Sequence, residues 1–196
     1  MANRRAAASG QLRIIGGRWR GRKFRFKAAE GLRPTPDRVR ETLFNWLAAD
    51  TPEARCLDLY AGSGALGLEA LSRGAAFCRF VDVSKSGLSA IRQHLRELDC
   101  QRADYINADA LDSLKPGNPE APFDIVFLDP PFGQSLLAPT LDALQSGNWL
   151  APGAAIYVES SAHEHDLEDL PGWTAHRDKR AGDVRYRLFV RDRQFV

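Results

Sequence analysis

Cysteine is scarce in this chain, and the three present, Cys56, Cys78 and Cys100, stand 22 residues apart with no close pair. That spacing argues against a disulfide framework or a zinc site and predicts reduced thiols in a reducing compartment. Long apolar runs are missing too. None approaches the roughly 18 residues needed to span a bilayer. The opening MANRRAAASGQ is basic and rich in small residues but has no apolar h-region, so export is not expected and a cytoplasmic location is. Histidine is sparse, with four residues in all. His163 and His165 fall in an acidic loop without a nearby cysteine, so no metal site is expected. His94 is expected on the solvent side of a helix. What is present is a chain of 196 residues, 44% apolar, enough for one domain with a sizeable core and a small appendage.

The net charge of +2 conceals a segregation along the chain. Residues 1–40 hold 12 Arg or Lys against two acids, residues 41–176 hold 8 against 20, and residues 177–196 hold 7 against 3. Two basic ends on an acidic body predict a footprint for a polyanion, with nucleic acid as the natural candidate.

Residues 1–11 are expected to form a disordered basic tail. LRIIGGRWRGRKFRF (residues 12–26) reads as a two-stranded arm, with Ile14, Trp19, Phe24 and Phe26 packed beneath arginines. In LRPTPDRVRETLFNWLAAD, Thr35 is suited to cap a helix, Pro36 to its first turn, and Val39, Leu43, Trp46 and Leu47 to one apolar stripe. Arg38 and Arg40 sit near the start of that helix, where the macrodipole does not favour cations; they call for an anion or for solvent. The arm and helix thus occupy residues 12–49. From residue 50 to 196, strands and helices alternate and predict a mostly parallel sheet with helices on both faces. The strands are RCLDLY, FCRFVD, ADYIN, FDIVFL and APGAAIYVE. VRYRLFVR and the preceding WTAHRDKR close the sheet as an antiparallel hairpin, making seven strands in a Rossmann-like sandwich. Trp149 and Trp173 are expected to be packing anchors.

LDLYAGSGALGLEAL carries a G-x-G-x-x-G at Gly62, Gly64 and Gly67, between a strand and a helix. Glycines there admit a ligand close to the backbone, and the helix start offers free N–H groups. Asp82 ends the next strand 20 residues after Gly62 and can accept from ribose hydroxyls. This pattern fits a dinucleotide and a methyl donor equally well. Asp58, four residues before Gly62, separates the two: a pyrophosphate would be repelled, whereas the ammonium and sulfonium of S-adenosylmethionine would be attracted. Asp109 is placed to accept from an adenine amine. Turn capping by Asp58 and a plain loop position for Asp109 are the alternatives.

The run FDIVFL ends in Asp129-Pro130-Pro131-Phe132, whose first residue lies 67 positions after Gly62. The proline pair stiffens the backbone and offers no N–H, so the Asp129 carboxylate and the Pro130 carbonyl form two acceptors at fixed separation. Such a pair can hold both hydrogens of an exocyclic amine out of the ring plane and free the nitrogen lone pair. Phe132 can stack on the base. Catalysis then rests on positioning and electrostatics. Glu159 ends the fifth strand, open between lining the target pocket and capping a turn.

RIIGGRWRG, LRPTPDRVRETLFNWL, LDLYAGSGALGLEAL, FVDVSKSG, NADA, LDPPF, IYVES and AGDVRYRLF together resemble the bacterial 16S ribosomal RNA guanine-N2 methyltransferases of the RsmD type, over nearly the whole chain. LDPPF alone would also admit adenine-N6, cytosine-N4 and glutamine-N5 methyltransferases. The resemblance implies methyl transfer from S-adenosylmethionine, leaving S-adenosylhomocysteine, to the 2-amino group of guanine 966 in a small-subunit rRNA loop. It implies that Asp58 and the turn Ala61, Gly62, Ser63, Gly64 line the cofactor site, that Asp82 holds the ribose, that Asp109 with Ala110 reads the adenine, and that Asp129 to Phe132 is catalytic. Family members commonly have a glutamate at the Asp82 position and often a second acid where this chain has Ser84. The implied partner is 16S rRNA in an assembled or partly assembled 30S subunit. From the residues themselves neither a membrane nor a metal is expected, and a monomer is expected. The arginine-bearing arm fits a grip on structured RNA. Arg18, Arg20, Arg22 and Lys23 are the phosphate candidates, with Thr35 and Arg38 facing the crevice. A target base must be unstacked, which costs least in a single-stranded loop. An amino methyltransferase acting on DNA or another RNA is one alternative function. A non-catalytic RNA-binding assembly factor is the other.

Overall fold

The computed structural model describes residues 9–27, 35–163 and 172–192. Residues 1–8 of the expected disordered tail lie outside the described residues, as does His165, whereas residues 9–11 of that tail are not disordered but pair in the first strand of the arm. Nine strands and five helices are described: β1 (Ser9–Arg13), β2 (Lys23–Lys27), α1 (Asp37–Trp46), β3 (Arg55–Asp58), α2 (Ala65–Ser72), β4 (Phe77–Val81), α3 (Lys85–Glu97), β5 (Ala103–Ile106), α4 (Ala110–Leu114), β6 (Phe123–Leu128), α5 (Leu137–Ser146), β7 (Leu150–Ser161), β8 (Trp173–Ala181) and β9 (Val184–Arg191).

Seven strands form one sheet in the order β5-β4-β3-β6-β7-β9-β8, while β1 and β2 pair separately as an antiparallel ribbon. The first five of the seven run parallel; β9 is antiparallel to β7, and β8 to β9. The chain therefore builds outward from β3 to β5 and returns to lay β6 against the other side of β3. That reversal is the topological switch point at which open α/β sheets bind ligands, outside the carboxyl ends of the strands. The Gly62–Gly64 turn follows β3 and Asp129-Pro130-Pro131-Phe132 follows β6, so both open onto this one crevice.

Alternation along the strands divides the core into two layers. Cys56, Phe80, Ile125, Phe127, Tyr157 and Leu188 face α1, α2, α3 and the arm. Leu57, Val81, Val126, Leu128, Val158 and Phe189 face α4 and α5. Cys56 and Cys78 are buried register partners on β3 and β4, and both are free thiols. Trp149 and Trp173 are buried in the second layer, as their packing role required. The short helix α4 carries no apolar repeat of its own and was not legible in the sequence.

The arm is docked through one buried acid. Glu69 on α2 is fully buried and accepts from the backbone N–H groups of Ile15 (2.8 Å) and Gly16 (2.7 Å). Its carboxylate also meets Arg73 Nε at 2.8 Å and Arg40 Nη1 at 3.5 Å. Ser72 closes the same junction, taking the Trp19 N–H on its hydroxyl and donating to the Gly16 carbonyl. Gly17, at φ 73°, lies so close that a Cβ would fall 2.0 Å from the Ser72 carbonyl oxygen. The anion that Arg40 called for is thus internal. Arg40 is 1% exposed, bound also to Asp37 and to the carbonyls of Thr35 and Arg13.

Two further expectations change. His94 is buried rather than solvent-facing: its ring stacks on Phe24 at 4.5 Å, and Nε2 meets the Arg25 carbonyl at 3.2 Å. The arm covers the helix face that would otherwise meet water. Thr35 does not cap α1, whose N-cap is Pro36 without a side-chain bond. The Thr35 hydroxyl is spent elsewhere, on Glu159.

Candidate active site

Three carboxyl groups converge at the carboxyl ends of adjacent strands. Asp58 on β3 is register partner to Phe127 on β6, and Phe127 to Tyr157 on β7. Residues two further on, Asp129 and Glu159, therefore stand side by side on the same face, one strand spacing apart, about 4.8 Å. Burial pushes Asp58 up to about 7, opposed by the Gly67 N–H (3.1 Å) and reinforced by the charge of Asp82. Asp129 is held well above the usual carboxylate range by burial, then by the charges of Glu159 and Asp58, against the Thr35 hydroxyl. Burial also raises Glu159, while hydroxyl donors from Thr35 (2.7 Å) and Tyr157 (2.9 Å) to its Oε1 pull the other way. A water-poor pocket with this much latent negative charge favours a ligand bearing positive charge and N–H donors.

The glycine turn is shaped from both sides. Asp82 ends β4 and accepts from the Gly62 N–H at 2.7 Å and the Ser84 N–H at 2.6 Å, one on each oxygen. It therefore clamps the turn while each oxygen keeps a lone pair for a ribose. Gly62 and Gly64 have φ of 51° and 77°, in the left-handed region that favours glycine. Gly67 lies where a Cβ would fall 2.3 Å from the Phe80 ring, so the third glycine seats α2 on the sheet. Ala61 donates its N–H to the Val81 carbonyl (3.0 Å), Ser63 is buried, and Gly64 is the N-cap of α2. Asp109 is the N-cap of α4, accepting from Leu111 and Asp112 through Oδ1, and Ala110 is buried behind it. Capping occupies one oxygen of Asp109 and leaves Oδ2 toward solvent.

Among the described residues, two large apolar side chains are left exposed, Val83 at 70% and Phe132 at 45%. They follow β4 and β6 at the crevice, where flat ring systems would cover them. Sequence reasoning passed over Val83, although an apolar residue directly after Asp82 was a usable signal. It also passed over Gly87, whose Cβ would stand 3.0 Å from the Gly62 carbonyl oxygen, so that glycine there lets α3 approach the turn. No group of three or more metal-ligating side chains occurs among the described residues, and no described helix is long and apolar enough to cross a membrane.

The basic residues fall into two places. Arg18, Arg20, Arg22 and Lys23 are exposed, but the turn that carries the first three docks on Ser72, at the carboxyl end of α2. The glycine turn opens the other end of that helix, about 12 Å away for eight residues. Outward alternation on the arm adds Arg13 and Arg25 to its basic face. Arg38 is exposed on the first turn of α1, three residues from Thr35, which is itself 5% exposed and turned inward to Glu159. At the crevice end, the sheet register runs Glu159, Tyr186, Lys179 across β7, β9 and β8. That row sets exposed Lys179 two strand spacings, roughly 10 Å, from Glu159, with exposed Arg180 beside it. The basic carboxyl-terminal segment is thus the one that the register brings to the crevice.

Residues 12–190 match the family described as Conserved hypothetical protein 95. The chain is 48% identical to the ribosomal RNA small subunit methyltransferase D of Escherichia coli K12 over 189 residues, covering 96% of this chain and 94% of that one. It is 45% identical to the protein of the same name from Haemophilus influenzae over 184 residues, covering 93% and 95%. The solved structure of yhhF from Escherichia coli superposes with a TM-score of 0.83 at 44% identity, covering 94% of this chain and 100% of that one.

Proposed function

This chain belongs to the ribosomal RNA small subunit methyltransferase D family, and on that premise we propose that it methylates the exocyclic N2 amine of a guanine in 16S rRNA, guanine 966, using S-adenosylmethionine. The observation that carries this reading is the placement of Asp129-Pro130-Pro131-Phe132 on the strand adjacent to the one bearing the glycine turn. An amine held at the first and a cofactor held at the second meet across a single crevice.

The pocket's own features fit the cofactor. The left-handed glycines at 62 and 64 leave the turn open to a close backbone approach. The buried Asp58 lacks a cationic partner among the described residues and suits an ammonium group. Asp82 is left for the ribose, and Asp109 with Ala110 and Val83 for the adenine. Bound there, S-adenosylmethionine supplies an electrophilic methyl on a sulfonium and is released as S-adenosylhomocysteine.

The residues of the chain do the rest. Asp129 and the Pro130 carbonyl accept the two amine hydrogens and draw the nitrogen out of conjugation. Pro131 removes a competing donor and stiffens the loop, and the exposed Phe132 ring stacks on the base. The methylated amine loses a proton as it forms, and Asp129, whose carboxyl is held well above its ordinary range, receives it. Arg38, Lys179 and Arg180 hold rRNA phosphates around the presented loop, with the arm cations Arg18, Arg20, Arg22 and Lys23 reaching a more distant part of the same RNA. The substrate is the assembled or partly assembled 30S subunit, met in the cytoplasm, with the protein acting as a monomer.

The test is to map N2-methylguanosine in 16S rRNA from cells with and without this protein, and to restore it with purified protein, S-adenosylmethionine and unmethylated subunits. A single guanine that gains methyl only with the protein is expected. Label incorporated into duplex DNA while subunits stay silent would overturn the reading.

A further inference from the structure

An aspartate and a prolyl carbonyl can grip any exocyclic amine, so something else in the pocket must select guanine. Resting on the guanine reading above, we propose that Glu159 is the specificity-determining residue, accepting the N1–H of the target base while Asp129 and the Pro130 carbonyl hold its N2 amine.

The placement follows from the strands. Leu128 and Val158 are register partners, so Asp129, the first residue beyond β6, stands level with Glu159, which is still in β7 and paired with Tyr186. The side chain of Glu159 is 3% exposed, and its orientation is locked from two sides. Thr35, 124 residues away in sequence, and Tyr157, on the same strand, both donate to Oε1. Oε2 receives no hydrogen bond among the described residues, and Glu159 has no Lys or Arg partner among them. A carboxylate that is oriented by two hydroxyls and keeps its second oxygen free presents a fixed acceptor to a ligand donor. Neither a turn nor a helix end uses it, which removes the capping role open in the sequence.

The chemistry of that donor can be specified. The edge of guanine presents N1–H beside the N2 amine, two donors in a row. Adenine and cytosine present a ring nitrogen acceptor beside their amines. Two neighbouring acceptor residues on parallel strands match the donor–donor edge. Against the others, Glu159 would face a lone pair with a carboxylate, a repulsion that works as effectively as the attraction. Glu159 thereby narrows a tetrapeptide that suits many amines to one base.

The test uses 30S subunits reconstituted with 16S rRNA that carries either guanine or 2-aminopurine at the methylated position. 2-Aminopurine keeps the 2-amino group but has an acceptor at N1. The protein is expected to prefer guanine by about 100-fold in kcat/KM, the range for losing a directed hydrogen bond to a base edge. The E159Q variant, whose amide can donate to N1, is expected to shrink that ratio at least tenfold while S-adenosylmethionine binding stays unchanged. Should E159Q fail to bind the cofactor, E159D, which withdraws the acceptor by one methylene, carries the same comparison. A narrower ratio is again expected. Equal use of the two bases by the unaltered protein, or an unchanged ratio in the variant, overturns the role of Glu159. Methylation of the all-guanine subunit is the control. Its absence would sink the functional reading itself, whereas an unmoved ratio sinks only the assignment of Glu159.

Discussion

Replacing Asp58 by Asn should stabilise the cofactor-free protein at neutral pH and damage it as an enzyme. Asp58 is 3% exposed, and burial lifts its carboxyl to about 7 from an ordinary value of 3.8. The folded form therefore holds a proton that the unfolded chain releases near pH 4. Its contribution to stability is complete below the unfolded pKa and is lost as pH rises through the folded one. At 1.36 kcal/mol per pH unit, the two units from pH 5 to 7 correspond to about 2.5 kcal/mol lost. Asp129 and Glu159 are raised as well, and slope in the same direction. The difference between parent and D58N isolates Asp58, because Asn can still accept from the Gly67 N–H. Urea unfolding from pH 5 to 8 is the assay. The parent should lose about 2.5 kcal/mol more than D58N over that range. Cofactor binding reads the other half of the argument. A cationic ligand against Asp58 should release a proton near pH 6, visible by calorimetry in two buffers of different ionisation enthalpy, and that release should vanish in D58N. Parallel pH profiles for the two proteins would refute the claim that Asp58 is neutral in the empty pocket.

Three further outcomes follow from the same geometry. D129A should bind S-adenosylmethionine normally yet lose about 10²–10³-fold in kcat, as removal of one positioned charge-stabilising group does; single-turnover methyl transfer separates the two. E69A strips the acceptor from Ile15, Gly16, Arg40 and Arg73 at once and should cost about 3–5 kcal/mol, with amide exchange accelerating first in β1 and β2. Replacing Lys179 and Arg180 by alanine should weaken subunit binding and flatten the slope of log K against log salt by about two, while the same change at Arg20 and Arg22, set at the far end of α2, should matter less near the target base. Equal effects from both pairs would show that the arm reaches the loop after all.

Wherever the signal was local, it could be read directly. Strand–helix alternation, the glycine turn at 62 to 64, the apolar stripe of α1 and the closing hairpin all depend on residues within a few positions of one another. Asp58, Asp82 and Asp129 were legible for the same reason, since each lies in, at the end of or just after a strand whose pattern marks it. The order of the strands was not in that pattern: only the return of β6 to the open side of β3 brings Asp129 to the glycine turn. His94 looked solvent-facing, and the choice between an anion and solvent for Arg40 stayed open, because the partners that bury them, the arm and Glu69, lie tens of residues away. The bond from Thr35 to Glu159 closes a loop of 124 residues, and no period or propensity foretells such a contact. Composition announced two basic ends, but the sheet register set the carboxyl-terminal one beside the crevice, and Ser72 pinned the turn of the other at the far end of α2. Local chemistry is written into neighbouring residues; which distant groups share a pocket is decided by packing the whole chain.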